Sequence, residues 1–120
     1  MADGKVTGIG GVFVRSGNPA RLAEWYRQHL GFVVTESGSP DPDGNYVWMQ
    51  DAGPTVYSFF KANSDYFAGD RQVMINLRVD GLDGLVAGLE ANGVTISHRE
   101  DMEGVGRFAR VHDLDGNPLE

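Results

Sequence analysis

The chain has 120 residues, the size of one domain, and its 41% of hydrophobic residues is enough for one core. It contains no cysteine, which excludes disulfides, thiolate nucleophiles and cysteine-ligated zinc and is typical of a cytoplasmic protein. The net charge of −7 without a cluster of Lys or Arg argues against nucleic acid as a partner. We also expect no membrane partner and no secretory signal, because no apolar stretch approaches the roughly 20 residues of a membrane span and no basic segment precedes an apolar one.

The first half of the chain predicts one helix and four short strands. Residues 9–15 alternate in hydrophobicity, which predicts a strand with Val12 and Val14 facing the helix. The helix is predicted to begin after Asn18, a good N-cap followed by proline, and to end at Gly31. Its apolar face has helical spacing and consists of Leu22, Trp25, Tyr26, His29 and Leu30. The other strands are predicted at 32–36, 46–50 and 56–60.

The second half predicts the same order of elements. A strand at 72–79 is followed by a helix within 80–93, whose apolar positions again have helical spacing. We predict strands at 94–98 and 107–112, with a loop at 99–106 between them. A turn at 113–118 then leads into a final strand that begins at Leu119.

The two halves therefore form an internal repeat. Arg15 and Arg78 occupy matching positions 63 residues apart, and Ser58 and Glu120 match at a spacing of 62. Self-similarity of this kind indicates a duplicated supersecondary unit. The unit has the order βαβββ, with module one at about 6–62 and module two at about 72–120 of a single domain spanning 1–120.

Two stretches carry a family resemblance: NPARLAEWYRQHLGF at 18–32 and DLDGNPLE at 113–120. They resemble the vicinal oxygen chelate superfamily, the group of glyoxalases, extradiol dioxygenases and bleomycin-resistance proteins. The resemblance implies an α+β fold in which two βαβββ modules form paired half-barrels around a cleft. It also implies a homodimer and a last strand that continues beyond Glu120, and the sequence leaves open whether that strand is cut short in this chain.

The resemblance implies four metal-ligand positions, and this chain fills one of them with a suitable side chain. The positions fall on Gly11, Ser58, Met74 and Glu120. A divalent ion normally needs three or four protein ligands, and glycine, serine and a methionine thioether are unsuitable or poor ones for it. We therefore predict no metal and no other cofactor.

A cleft without metal favours a protein that binds a small molecule, as bleomycin-resistance proteins do. Alternation along the strands and the matching of the modules predict the residues that line the cleft. These are Phe13, Arg15, Trp48, Ser58, Phe60, Met74, Asn76, Arg78 and Glu120. Aromatic rings and an acidic surface suit a cationic aromatic ligand, whereas paired arginines suit an anionic one, so both ligand classes stay open.

The alternative is an enzyme, a lyase or dioxygenase relative with a rebuilt site. Its candidate catalytic residues are Glu120 with His112 or with His98, either as ligands of a divalent metal or as a metal-free acid–base pair. A third reading is a cleft that serves only assembly. The sequence leaves the question of catalysis open.

Overall fold

A computed structural model describes residues 4–32, 48 and 50–120 of the chain. Within these residues it has two helices and three strands, namely α1 (Pro19–Leu30), α2 (Leu82–Ala91), β1 (His98–Met102), β2 (Gly106–His112) and β3 (Pro118–Leu119). The strands form an antiparallel sheet in the order β1-β2-β3. The described part is therefore a small α+β domain, as predicted at the level of fold class.

Both predicted helices are confirmed, together with the capping residues of the first. The Asn18 side chain accepts a hydrogen bond from the Arg21 amide at 3.2 Å, which satisfies a donor that the first turn leaves free. Gly31 ends α1 in a left-handed conformation with φ +69°, and its amide donates to the Tyr26 carbonyl. Gly93, at φ +80°, follows α2 in the same conformation. Local sequence signals are sufficient to set these helix ends.

The hairpin formed by β1 and β2 corrects the predicted loop at 99–106. Residues 98–102 pair antiparallel with 106–110, so the connecting turn is only 103–105. The prediction was wrong because the charged sequence of β1 was taken for a loop. A strand at the edge of a sheet has one side in solvent and readily carries charged side chains. The strand predicted at 94–98 accordingly begins only at His98.

A short parallel contact joins the segment around Ile75 to β3. Ile75 and Leu119 form a bridge, the Glu120 amide donates to the Ile75 carbonyl at 3.0 Å, and the Leu77 amide donates to the Glu120 carbonyl at 2.6 Å. The strand predicted at 72–79 is thus reduced to a single bridge. This bridge places Asn76 beside Glu120.

The strands predicted at 9–15 and 56–60 are not formed in the part of the chain that the structure describes. Val12, predicted to pack on the first helix, is 60% exposed, and Phe13 and Phe59 are 97% and 89% exposed. A strand exists only when a neighbour pairs with it, and no described segment forms a strand ladder with these two. The strands predicted at 32–36 and 46–50 fall almost entirely outside the described residues. The paired half-barrels therefore stay a prediction.

The core lies between the two helices and the sheet. Its centre is a cluster of Leu89, Val111 and Leu119, all less than a tenth exposed. The predicted apolar faces of both helices supply most of its surroundings, which are Trp25, Tyr26, Leu30, Ile75, Leu85, Val94 and Ile96. In the described residues, neither helix has the length and apolar character needed to cross a membrane.

Candidate functional site

The sheet has one face packed on the helices and one face turned away from them. Val111 of β2 belongs to the core, so its neighbour Arg110 points to the opposite side. We call this opposite side the open face and define it by Asn76, Arg110 and Glu120, whose side chains meet there. The sequence predicted Asn76 and Glu120 to face a cleft together, and the structure brings them together.

The carboxylate of Glu120 is the centre of the site, and donors surround it. Tyr66 donates its hydroxyl to Oε2 at 2.6 Å, and Arg110 donates Nη2–H to the same oxygen at 3.2 Å. Asn76 donates Nδ2–H to Oε1 at 2.9 Å. The Glu120 side chain is only 6% exposed, so it is a buried carboxylate that a cation and two neutral donors satisfy.

The Arg110 side chain is also largely buried, and it has contacts of its own besides Glu120. Its side chain is 12% exposed, and its Nη1 donates to the Tyr66 carbonyl at 2.5 Å. The guanidinium carbon also lies 4.7 Å from the centre of the Tyr66 ring, within the range of a cation–π contact. The buried Nε–H meets no acceptor among the described residues. Arg110 and Glu120 therefore form a buried ion pair whose charges cancel.

Aromatic side chains stand next to this ion pair. Phe60 meets the Tyr66 ring edge-on, with 5.4 Å between the ring centres, and lies 6.0 Å from the centre of Phe67. Half of the Phe60 surface is exposed. The open face thus offers an apolar ring surface beside hydrogen-bonding groups, a combination typical of small-molecule sites.

The register of the last hairpin explains why Arg110, and not His112, meets Glu120. Val111 pairs with Leu119 and His112 with Pro118, so the next step of the same register sets Arg110 opposite Glu120. Sequence analysis missed Arg110. The signal was available, because the turn at 113–117 fixes the register of the strands that it joins.

Asp113 holds that turn in place. Its buried carboxylate accepts from the amides of Asp115 and Asn117, both at 2.9 Å, and from the Asn117 side chain. Tyr26 of α1 donates its hydroxyl to the same carboxylate at 2.6 Å. Asp113 therefore ties the hairpin that carries Glu120 to the first helix.

Among the described residues, none of the other predicted cleft residues donates a hydrogen bond to the Glu120 carboxylate. Phe13, Arg15 and Ser58 are exposed, and Met74 is half-buried. The Trp48 ring stacks on Phe32 with 4.3 Å between the ring centres.

Sequence analysis placed Arg78 in the cleft as a residue that suits an anionic ligand. In the structure its guanidinium instead donates hydrogen bonds to backbone carbonyls. It donates to the backbone carbonyl of Asp51 at 2.6 Å and to that of Ala52 at 3.4 Å. Its guanidinium therefore fastens the second half of the chain to the 51–52 turn. The Glu120 carboxylate has Arg110 as its cation instead.

The two candidate catalytic histidines are both on the sheet but have their own surroundings. His98 lies 3.4 Å from the Glu100 carboxylate on β1. His112 is exposed and lines a groove of about 330 Å³ together with Trp25 and Asp113. In the register above, His112 lies opposite Pro118, two residues along β2 from Arg110, which lies opposite Glu120.

The residues present do not fit a divalent metal at the family's ligand positions. Gly11, Ser58 and Met74 offer no carboxylate or imidazole, and both oxygens of Glu120 already accept hydrogen bonds. A divalent ion there would also lie beside the positive guanidinium of Arg110. Among the residues that the structure describes, no three His, Cys, Asp or Glu side chains come together as ligands.

Tyr66 gives a pH-dependent test of this geometry. Its hydrogen bond to Glu120, its burial and the negative charge of Glu120 raise the pKa of the phenol above its ordinary value of about 10. The folded state thus holds the proton more tightly than the unfolded state. We expect the resulting stabilisation to be complete below pH about 10 and to be lost as the pH rises through the folded-state pKa.

The measurement is a titration of tyrosinate absorbance, with Tyr66 assigned by its loss in Tyr66→Phe. In Glu120→Gln the Tyr66 pKa should fall towards its ordinary value. A Tyr66 phenol that ionises at the ordinary value in the unsubstituted protein would show that the bond to Glu120 does not persist in solution.

Comparison with known proteins identifies the family of this chain. A search of curated proteins gave no match. The family model described as Glyoxalase/Bleomycin resistance protein/Dioxygenase superfamily matches residues 8–120. The match covers the segments that carry Tyr66, Asn76, Arg110 and Glu120. This chain therefore belongs to the Glyoxalase/Bleomycin resistance protein/Dioxygenase superfamily.

Proposed function

We propose that this protein binds a small molecule on its open face without a metal ion. The observation that supports the proposal is the buried ion pair between Arg110 and Glu120. Glu120 is the one suitable ligand among the family's four positions, and a guanidinium of the chain itself neutralises it. The cleft then has no need of a divalent ion to compensate this carboxylate.

Free energy also favours the guanidinium over a metal at this position. A divalent ion that took Glu120 would separate it from Arg110 and leave a guanidinium buried without its counter-ion. Removing one partner of a buried ion pair costs about 3–5 kcal/mol. Metal binding by a single carboxylate cannot offset this cost, because stable metal sites use three or four ligands.

We further propose that the complete cleft forms when the modules pair as half-barrels. Residues 9–15 and 56–60 would then become paired strands and bring their side chains to the open face. The cleft would be lined by Phe13, Arg15, Trp48, Ser58, Phe60, Met74, Asn76, Arg78 and Glu120. Arg110 and Tyr66 would hold the Glu120 carboxylate through the hydrogen bonds described above.

A second copy of the chain is the partner that we propose for this pairing. Val12, Phe13, Val56 and Phe59 are between 60% and 97% exposed, an unusual density of apolar surface for a soluble monomer. Unpaired segments of alternating hydrophobicity are templates for strand pairing between chains.

The dimer leads to a direct prediction. We expect the unsubstituted protein to sediment as a dimer and Val56→Glu to dissociate it, because a carboxylate would be buried in the interface. The measurement is sedimentation velocity over a range of concentrations. Val105→Glu is the matched control, since Val105 is 73% exposed on the turn between β1 and β2. A monomeric unsubstituted protein, or equal effects of the two substitutions, would contradict the proposal.

Elemental analysis tests the metal-independent function against the enzyme alternative. Protein produced in medium supplemented with zinc, nickel, manganese and iron should contain only substoichiometric metal. One ion per chain that is lost in Glu120→Ala and retained in Glu90→Ala would overturn the proposal. That result would instead favour an enzyme with Glu120 and His112 or His98 as ligands. The cytoplasmic location expected from the sequence stays a prediction.

A further inference from the structure

We infer that the ligand of the open face is an uncharged aromatic compound with an amide-like hydrogen-bonding edge. This inference rests on the proposed function and narrows it to one chemical class. The sequence alone left cationic and anionic ligands both open. Three features of the described residues favour an uncharged ligand over both of these classes. They are the compensated charges, the exposed ring of Phe60, and the orientation of the Asn76 carboxamide.

The two buried charges at the centre of the site balance each other. Arg110 and Glu120 are 12% and 6% exposed and neutralise each other at 3.2 Å. Farther out, the partly exposed Glu100 and the exposed Arg15 and Arg78 also carry charges, and solvent screens all three. A charged ligand would therefore lose its hydration without gaining an uncompensated partner. An uncharged ligand has no hydrated charge to lose when it binds.

Asn76 supplies the polar recognition element. One Nδ2–H is donated to Glu120 Oε1, which turns the amide nitrogen towards the carboxylate and the amide oxygen away from it. Asn76 is exposed, so its second N–H and its oxygen form a donor–acceptor edge towards solvent. A primary amide or lactam has the complementary edge and can form two hydrogen bonds with it.

Phe60 and Tyr66 supply the apolar part. The half-exposed ring of Phe60 lies 5.4 Å from Tyr66, close to the site of the ion pair. A flat aromatic ring that covers Phe60 removes apolar surface from water and gains ring–ring contact. A ligand that makes both of these contacts is benzamide-like.

Benzamide, benzoate and benzamidine test the inference, because they share one planar shape and differ in charge. Isothermal titration calorimetry on the intact protein at one ionic strength should give benzamide a Kd about tenfold lower than that of either ion. Asn76→Leu should abolish this preference. In Glu120→Gln the Arg110 charge is uncompensated, and we expect benzoate to become the tightest of the three.

Glu90→Gln is the matched control for that reversal. It removes the same charge from an exposed ion pair with Arg99 on the helix side, so the ranking of the three compounds should not change. Folding of each variant is checked by its thermal melt, and the ranking in the unsubstituted protein does not depend on any variant. Tighter or equal binding of benzoate or benzamidine by the unsubstituted protein overturns the inference and leaves the proposed function standing. Failure of all three compounds to bind also overturns the inference, whereas the proposed function is decided by the elemental analysis above.

Discussion

Replacement of Asp113 by alanine is expected to lower the free energy of unfolding by about 3–4 kcal/mol. Asp113 is 6% exposed, and its carboxylate is the acceptor for two backbone amides, the Asn117 side chain and the Tyr26 hydroxyl. Alanine would leave these donors without their acceptor, and a buried donor without an acceptor costs about 1–3 kcal/mol. Urea denaturation followed by circular dichroism measures the loss.

Two further variants show whether the carboxylate itself is responsible. Asp115→Ala removes an exposed acid from the same turn and should change the unfolding free energy by less than about 0.5 kcal/mol. Asp113→Asn keeps one acceptor oxygen and should give an intermediate value. If Asp113→Ala and Asp115→Ala were equally stable, the network around Asp113 could not be what holds the last hairpin.

Replacement of Arg110 by methionine is expected to cost about 3–5 kcal/mol of stability, because it leaves the buried Glu120 carboxylate without its cation. Methionine keeps much of the apolar length of the arginine, so the lost charge dominates the effect. Adding Glu120→Gln should recover most of the loss, since the buried charge is then gone. The double-mutant cycle is measured by urea denaturation at neutral pH.

The exposed ion pair between Arg107 and Asp83 provides the comparison. Their side chains are 56% and 81% exposed, so Arg107→Met should cost far less stability than Arg110→Met. Arg107 and Arg110 both lie at a normal ion-pair distance from a carboxylate. They differ in burial, so burial should account for the difference in cost. Equal costs for Arg107→Met and Arg110→Met, or no recovery by Glu120→Gln, would mean that the Arg110–Glu120 pair is open to solvent.

Arg110 also bears on the metal-independent role proposed for this chain. The resemblance described above implies that a divalent cation compensates the carboxylate at the Glu120 position in metal-dependent members. Here the compensating cation is covalently part of β2 and is fixed by the Tyr66 carbonyl and ring. A fixed guanidinium cannot exchange and has no open coordination position, which agrees with binding rather than Lewis-acid chemistry as the proposed role.

The sequence by itself determined the features that depend on neighbouring residues. The ends of α1 follow from Asn18, Pro19 and Gly31, and the apolar faces of both helices follow from helical spacing, because capping and periodicity act within a few residues. The turn at 113–117 and the unsuitable side chains at the family's metal positions are equally local facts. These were enough to identify the family correctly.

Only the tertiary structure decided which side chains surround Glu120. Tyr66 and Asn76 lie 54 and 44 residues away in the chain, and Arg110 reaches Glu120 through the register of a hairpin. Strand pairing and the path of a loop depend on the whole fold, and no local pattern specifies them. For the same reason residues 9–15 and 56–60 have strand-like sequences yet form no strand in the described part of one chain, since a strand needs a neighbour to pair with.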